Sequence, residues 1–157
     1  MSTVERRNDI TSIALNSLSA LVETEWVPRN WSKISNESFN ITTVKSLGLA
    51  SNRIFGAQNK GILVLDPVKV RRLYELSEIK YNETKKVLGM LGPGYEFFIK
   101  IYIFNGTDYS IDPLYSIGLE PYNNASNKIL IERIALLNST PAKISMIAWS
   151  QCVGFEC

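Results

Sequence analysis

The spacing of hydrophobic residues near the N-terminus is typical of an amphipathic helix. Between residues 8 and 25, apolar positions recur at intervals of three and four, so they share one helical face. This stripe consists of Ile10, Ala14, Leu18, Leu21 and Val22, widened by Ile13. Pro28 follows the pattern and is expected to end the helix. The sequence therefore begins with a predicted helix that buries one side.

A polar, irregular region follows this helix. Residues 27–65 are rich in Ser, Thr and Asn and contain three glycines, at positions 48, 56 and 61. Clusters of this composition are typical of loops. Only short extended pieces are expected, at 43–47 and 61–65.

Two short helices are predicted after this region. Asp66-Pro67 is a typical helix start, since Asp caps free backbone amides and Pro is tolerated at the first helical position. This helix is expected to reach Ser77. A second helix is predicted from Asn82 to Leu91, with Asn82 as its N-cap, ended by Gly92-Pro93-Gly94.

The hydrophobic period then changes to two, which indicates β-strands. Residues 95–104 alternate, with Tyr95, Phe97, Ile99, Ile101 and Ile103 on one face. Asn105-Gly106 predicts a tight turn, after which the chain is expected to return as a strand at 109–111. Two more apolar strands are predicted at 128–137 and 143–149, joined by residues 138–141.

These elements predict an α+β fold. The N-terminal amphipathic helix packs on a three- to four-stranded antiparallel sheet, and the two short helices come in the middle of the chain. The length of 157 residues suits a single domain with a real core. Residues 1–7 are predicted to be a disordered or cloning-derived start.

Seven Asn-X-Ser/Thr triplets are the most informative feature of the composition. Their asparagines are Asn30, Asn36, Asn40, Asn82, Asn105, Asn124 and Asn138, and none is followed by proline. With thirteen asparagines and Ser or Thr at roughly 15% of positions, chance supplies about two such triplets. N-glycans are bulky, hydrophilic and added across a membrane, so the excess predicts an extracellular glycoprotein. Asn30, Asn36 and Asn40 are the best candidates, because they lie in the irregular region.

The rest of the composition argues against catalysis, metal binding and nucleic-acid binding. The chain contains no histidine, which excludes Ser-His-Asp and Cys-His arrangements. The carboxylates show no spacing that selects a catalytic pair or a calcium loop. A net charge of +2 with scattered basic residues predicts no nucleic-acid partner. We therefore predict no catalytic residue, no cofactor and no metal site, with a carboxylate enzyme as a disfavoured alternative.

The strand aromatics have two interpretations. Tyr95, Phe97, Phe98, Tyr102 and Phe104 are expected to pack in the core and on the second face of the sheet. The alternative is a platform on which bases or sugars stack. Trp26 and Trp31 are expected to attach the helix end to the sheet, and Trp149 to end the last strand in the core.

The two cysteines, Cys152 and Cys157, fall in the last six residues. A disulfide is expected in an oxidising exterior, and a reduced pair is the alternative. A zinc site would need two further ligands, which a chain without histidine or other cysteines does not offer as thiolate or imidazole. The sequence also shows neither an apolar run of about twenty residues nor a signal peptide. We therefore expect a mature or truncated portion of an exported protein.

Five segments resemble archaeal type IV pilin-like cell-surface proteins. They are residues 27–31 (VPRNW), 44–50 (VKSLGLA), 65–77 (LDPVKVRRLYELS), 95–101 (YEFFIKI) and 133–149 (RIALLNSTPAKISMIAW). Together with the N-terminal helix, the resemblance extends over residues 8–149.

The resemblance implies a non-catalytic surface or pilus-like structural subunit, involved in filament assembly or adhesion. Its partners would be other pilin-like subunits or cell-surface components. Residues 8–25 would be the amphipathic second half of a longer helix, whose hydrophobic first half would provide the only membrane contact. The alternative is a secreted carbohydrate- or protein-binding module.

Overall fold

A computed structural model describes residues 3–23, 28, 30–51, 63–91 and 94–150. Within these ranges the fold is α+β, as predicted, with three α-helices and a five-stranded sheet. The helices are α1 (Thr3–Glu23), α2 (Pro67–Ile79) and α3 (Tyr81–Val87), and a 3-10 turn spans Trp31–Lys33. The strands are β1 (Val64–Leu65), β2 (Tyr95–Ile103), β3 (Tyr115–Gly118), β4 (Ser126–Leu137) and β5 (Thr140–Ser150).

Helix α1 buries the stripe that its sequence pattern predicts. Ile10, Ala14, Leu18, Leu21 and Val22 are each at most 1% exposed, whereas Ser12 and Asn16 face solvent. The helix begins at Thr3, five residues before the predicted start at residue 8. Residues 3–7 belong to this helix, and a cloning-derived origin of residues 1–7 stays a prediction.

The start of α2 confirms the predicted cap. The Asp66 carboxylate accepts a hydrogen bond from the Val68 amide at 2.9 Å, and Pro67 occupies the first helical position. Such a cap satisfies an amide that has no partner inside the helix.

Helix α3 differs from its prediction at both ends. Lys80, not Asn82, is its N-cap residue, and Asn82 makes no capping hydrogen bond. The helix ends at Val87 because Gly89 adopts a φ of +89°. The Gly89 and Met90 amides then donate to the carbonyls of Lys86 and Lys85, the bonding pattern of a Schellman motif.

The sheet has the strand order β1-β4-β5-β2-β3. Four strands are antiparallel to their neighbours, but β1 runs parallel to β4, with Val64 opposite Leu136. The sheet therefore has one strand more than the three or four predicted, and it is mixed where a purely antiparallel sheet was predicted. A two-residue strand is too short to show an alternating pattern, so its sequence does not indicate which strand it pairs with or in which direction.

The predicted strand at 109–111 is also wrong. Tyr109 makes only an isolated bridge to Phe104, and the chain pairs continuously with β2 only at β3. Ile111 is 96% exposed, so this segment has no buried face that would fix a strand. Pro113 lacks an amide hydrogen and cannot donate to a ladder at this point.

The helices lie on one face of the sheet, where the main core is found. Helix α1 packs on β4 and β5, and α2 packs against β3. On β5, the inward positions are Ala142, Ile144, Met146 and Ala148, all fully buried. We call the opposite side of the sheet the outer face.

Trp149 is buried on this outer face. Its position alternates with those of Met146 and Ala148, so it points away from the helices. Its indole N–H donates to the Leu119 carbonyl at 3.0 Å, and Tyr122 contacts it edge-on. The prediction that Trp149 is buried is confirmed, but the segment 119–122 covers it, and the helices do not.

Gly118 offers a test of the β2–β3 junction. Its φ is +96°, and a Cβ there would contact the Phe97 carbonyl oxygen and lie 2.7 Å from Phe97 Cε2. We expect Gly118→Ala to reduce the free energy of unfolding by about 2–4 kcal/mol, through backbone strain plus overpacking. Urea unfolding followed by circular dichroism measures this loss.

Gly106→Ala is the matched control. Gly106 has a similar φ of +99°, but a methyl group at this position would have nothing within 4 Å. It should lose only the strain contribution of about 1–2 kcal/mol. Equal losses in the two variants would contradict a specific clash with Phe97.

Candidate functional site: the glycan-acceptor surface

All seven acceptor asparagines lie outside the core. Six are exposed and Asn40 is half-buried. Asn82 lies in the first turn of α3, and the other six lie in turns or loops, none of them on a strand. An N-glycan requires such a position, since the attached sugar must extend into solvent.

Three of these asparagines hold the local backbone. The Asn40 side-chain oxygen accepts from the Thr42 and Thr43 amides at 2.8 and 3.1 Å. The Asn105 side-chain oxygen accepts from the Thr107 and Asp108 amides in the same manner, at 3.0 and 2.9 Å. Asn138 has a φ of +51° in the β4–β5 turn, where Asn is strongly preferred. Each of the three therefore has a structural reason to be asparagine.

The other four acceptors have no such role. Asn30, Asn36, Asn82 and Asn124 make no side-chain hydrogen bond within the described part of the chain. Their side-chain amides are exposed and free to react. Turn formation therefore does not explain the whole excess of triplets over chance.

The irregular region that carries three acceptors is firmly attached to the domain. The Trp31 indole N–H donates to the Gly48 carbonyl at 3.1 Å, and Trp31 is fully buried. Arg72 of α2 donates to the Ile34 carbonyl at 2.7 Å. Asn30 and Asn36 are thus presented by an anchored loop. The predicted role of Trp26 falls on a residue outside the described ranges.

Lysine ammonium groups lie over three aromatic rings near the outer face, those of Phe98, Tyr102 and Tyr109. The Lys100 ammonium lies 5.1 Å from the Phe98 ring centre. Lys143 lies 5.1 Å from the ring of Tyr102 and 5.3 Å from that of Tyr109. A sugar or base would have to displace these cations to stack on the rings. The arrangement favours packing over a stacking platform.

The disfavoured enzyme alternative depends on carboxylates. No group of three or more Asp, Glu or Cys suited to a metal is found among the described residues. The acidic side chains pair with basic ones instead, as Glu75 does with Arg71 and Glu83 with Lys86. A cleft of about 330 Å³ beside β1 has one carboxylate among its described lining residues, Asp66, which caps α2. No residue is assigned a catalytic role on this geometry.

A buried polar cluster joins α3 to β2, and the sequence pattern did not predict it. The Tyr81 hydroxyl donates to one carboxylate oxygen of Glu96, and the Lys85 ammonium lies 3.3 Å from the other. Glu96 is only 6% exposed. The Tyr81 ring also stacks on Phe97 at 5.2 Å. The one available signal was Glu96 itself, a charged residue at the start of an apolar strand.

This cluster attaches helix to strand and offers no open site. Burial raises the pKa of Tyr81 well above its usual value, and the hydrogen bond to Glu96 raises it further. Tyr81 therefore stays protonated where an exposed tyrosine would ionise. A neutral donor of this kind stabilises the buried carboxylate next to it.

Cys152 and Cys157 lie outside the described residues, so their disulfide remains a prediction. Among the described residues, no helix combines the length and the apolar character needed to cross a bilayer. Comparisons with models of known protein families, with curated proteins and with solved structures found no match.

Tyr81 should make the fold sensitive to alkaline pH. The pKa of Tyr81 is higher in the folded state than its unfolded value of about 10. The stability that the protonated Tyr81 hydroxyl contributes is therefore complete below pH 10 and is lost as the pH rises above it. We expect Tyr81→Phe to remove this part of the alkaline loss. The measurement is the free energy of unfolding at about pH 8 and about pH 11 in both proteins, on either side of the unfolded pKa.

Tyr102→Phe is the control, because Tyr102 is half-buried and makes no hydrogen bond through its hydroxyl within the described residues. This variant shows how much of any change comes from the mere loss of a tyrosine hydroxyl. If Tyr81→Phe keeps the wild-type pH dependence, Tyr81 does not ionise on unfolding as argued.

Proposed function

We propose that this chain is a non-catalytic, glycosylated domain of a cell-surface or pilus-like structural subunit. The observation that carries the proposal is the set of seven acceptor asparagines, all outside the core and four without a local backbone role. N-glycans are added only to chains that cross a membrane, so an excess of acceptor triplets on the surface favours an exported protein.

The packing of α1 supports the pilin-like part of the proposal. Its buried stripe lies on β4 and β5, while Ser12, Leu15 and Asn16 are exposed on its other side. This is the arrangement that the resemblance implies for the second half of a pilin helix. The domain would act outside the cell in filament assembly or adhesion, with other subunits or cell-surface components as partners. No described site favours nucleic acid or a cofactor.

The outer face gives little support to the alternative of a sugar-binding module. Lys100 lies over the Phe98 ring and Lys143 over the Tyr102 ring. The Ser145 hydroxyl donates to Glu132 at 2.9 Å, and Lys143 lies 3.8 Å from the same carboxylate. We therefore propose no second function.

Glycopeptide mass spectrometry of the protein from its own cells tests the proposal. We expect glycans on several acceptor asparagines, and none on Asn16 or Asn123, which are exposed but lie outside the triplets. Surface location is tested by labelling intact cells with an antibody and viewing them by electron microscopy. Unmodified protein inside the cell would refute the proposal.

Occupancy should also differ between acceptors. Asn40 is half-buried, its side-chain oxygen is held by two amides, and its side-chain nitrogen lies 3.5 Å from the Ser38 carbonyl. We expect Asn40 to have the lowest occupancy, below that of Asn36 in the same loop, because its side chain must leave the turn before a glycosyltransferase can reach its nitrogen. Quantified glycopeptides compare the two sites. Equal occupancy at Asn40 and Asn36 would show that the turn opens readily.

A further inference from the structure

The cleft beside β1 lies between the start of α2 and the turn that joins β4 to β5. Strands β1 and β4 are parallel neighbours, so both end at this edge of the sheet. After β1 the chain enters α2 through Asp66, and after β4 it enters the turn at Asn138 and Ser139. The described walls of the cleft include Asp66, Pro67 and Val68 on one side and Asn138 and Ser139 on the other. An acceptor asparagine therefore forms part of the wall of a cleft.

The cleft combines apolar surface with hydrogen-bonding groups that can still bind a ligand. Pro67 is exposed, and Val68 is 66% exposed. The Asp66 Oδ1 accepts from the Val68 amide, while its second carboxylate oxygen has no partner among the described residues. Within the same part of the chain, the Ser139 hydroxyl makes no hydrogen bond. A carboxylate accepts hydrogen bonds from ligand hydroxyls, and apolar side chains pack on C–H groups. This combination suits a sugar ring, which has both.

We propose that the first sugar of an N-glycan on Asn138 binds in this cleft, with its hydroxyls on Asp66 and Ser139 and its C–H face on Val68. Of the seven acceptors, Asn138 is the one found among the described lining residues of the cleft. The ligand is a hexose or N-acetylhexosamine ring joined to the Asn138 side-chain nitrogen. This inference rests on the proposed glycosylation, and it adds a binding site for the glycan on the domain itself.

Covalent attachment makes weak contacts sufficient for this binding. A sugar joined to Asn138 cannot diffuse away, so its local concentration at the cleft is on the order of millimolar. The cleft volume of about 330 Å³ lies at the lower end of the range for small-ligand pockets, about 300–1,000 Å³. The cleft therefore suits the ring next to the asparagine, and the rest of the glycan would extend into solvent.

A sugar in the cleft would link two separate parts of the fold. Pro67 and Val68 belong to the first turn of α2, whereas Asn138 belongs to the β4–β5 turn. The sugar can contact both only when both are in their native positions, so its binding stabilises the folded state. The Asn138 glycan should therefore raise the melting temperature, and a glycan that only extends into solvent should not.

Thermal unfolding of paired samples tests the inference. Each protein is made in its own cells and in cells without glycosylation enzymes, and the difference in melting temperature between the two samples is the glycan contribution. Because both samples carry the same substitution, its direct effect on the fold cancels. Thr140→Val destroys the triplet but keeps Asn138 in its turn. It should lower the glycan contribution by about 2–4 °C, the effect of about one net hydrogen bond in a chain of this length. Ser32→Ala destroys the triplet of Asn30 and is the matched control, which should keep the contribution.

A change in the wall of the cleft tests the contact itself. Val68→Ser removes apolar surface from the cleft and should reduce the contribution of the Asn138 glycan about twofold, because the C–H face of the ring loses its contact. Ile79→Ser makes the same kind of change at the other end of α2, at a residue that is 54% exposed, and should leave the contribution unchanged. In the glycosylated wild-type protein, nuclear Overhauser contacts should join the first sugar to the Val68 methyl groups.

The outcomes separate this inference from the proposed surface function. The inference is overturned if the Asn138 glycan leaves the melting temperature unchanged, if Ser32→Ala lowers the contribution as much as Thr140→Val, or if Val68→Ser has no effect. Glycopeptides that show Asn138 unmodified while other acceptors carry sugars also overturn it. All of these results leave the surface function intact. Only a protein without a glycan on any acceptor refutes both.

Discussion

The contact between α1 and the β4–β5 hairpin is the interaction on which the rest of the structure depends. Strand β5 pairs along most of its length with β4 on one side and with β2 on the other. Its inward positions begin and end with alanine, at Ala142 and Ala148, so a helix can approach the sheet closely at both. Burial of the α1 stripe on this surface removes a long continuous apolar strip from water. The loops and short helices are arranged around that layer.

The sequence predicts those parts of the fold whose residues repeat a pattern. The α1 stripe, the Asp66 cap, and the strands β2, β4 and β5 all follow from periodicity or from a local signal. The two-residue strand β1 falls within the extended piece predicted at 61–65, but its parallel pairing with β4 has no local signal in the sequence. The position of β3 at Tyr115–Gly118 is not predictable either. This strand ends at Gly118, whose left-handed backbone conformation is required by the packing against β2 and leaves no repeating pattern in the sequence.

The candidate site is predictable to a similar degree. The triplets identify every acceptor, but the sequence alone does not tell which of them also shape a turn. Asn82 has the residue type of a cap but does not act as one, while Asn40 has the loop position of a good acceptor but is held by the backbone. The cluster of Tyr81, Lys85 and Glu96 joins residues up to 15 positions apart, and no spacing rule indicates it.

The positions of the acceptors would also limit where this domain can touch another protein, if they carry glycans as proposed. Asn124 and Asn138 bracket β4, and Asn105 follows β2, so glycans would surround the sheet at its strand ends. No triplet has its asparagine on a strand of the described sheet, so these glycans would leave the outer face clear. A bulky, hydrated glycan keeps other macromolecules away from its own surroundings. Under the proposed function, protein contacts would therefore be directed to the outer face, where Leu130 is 58% and Ile134 is 53% exposed.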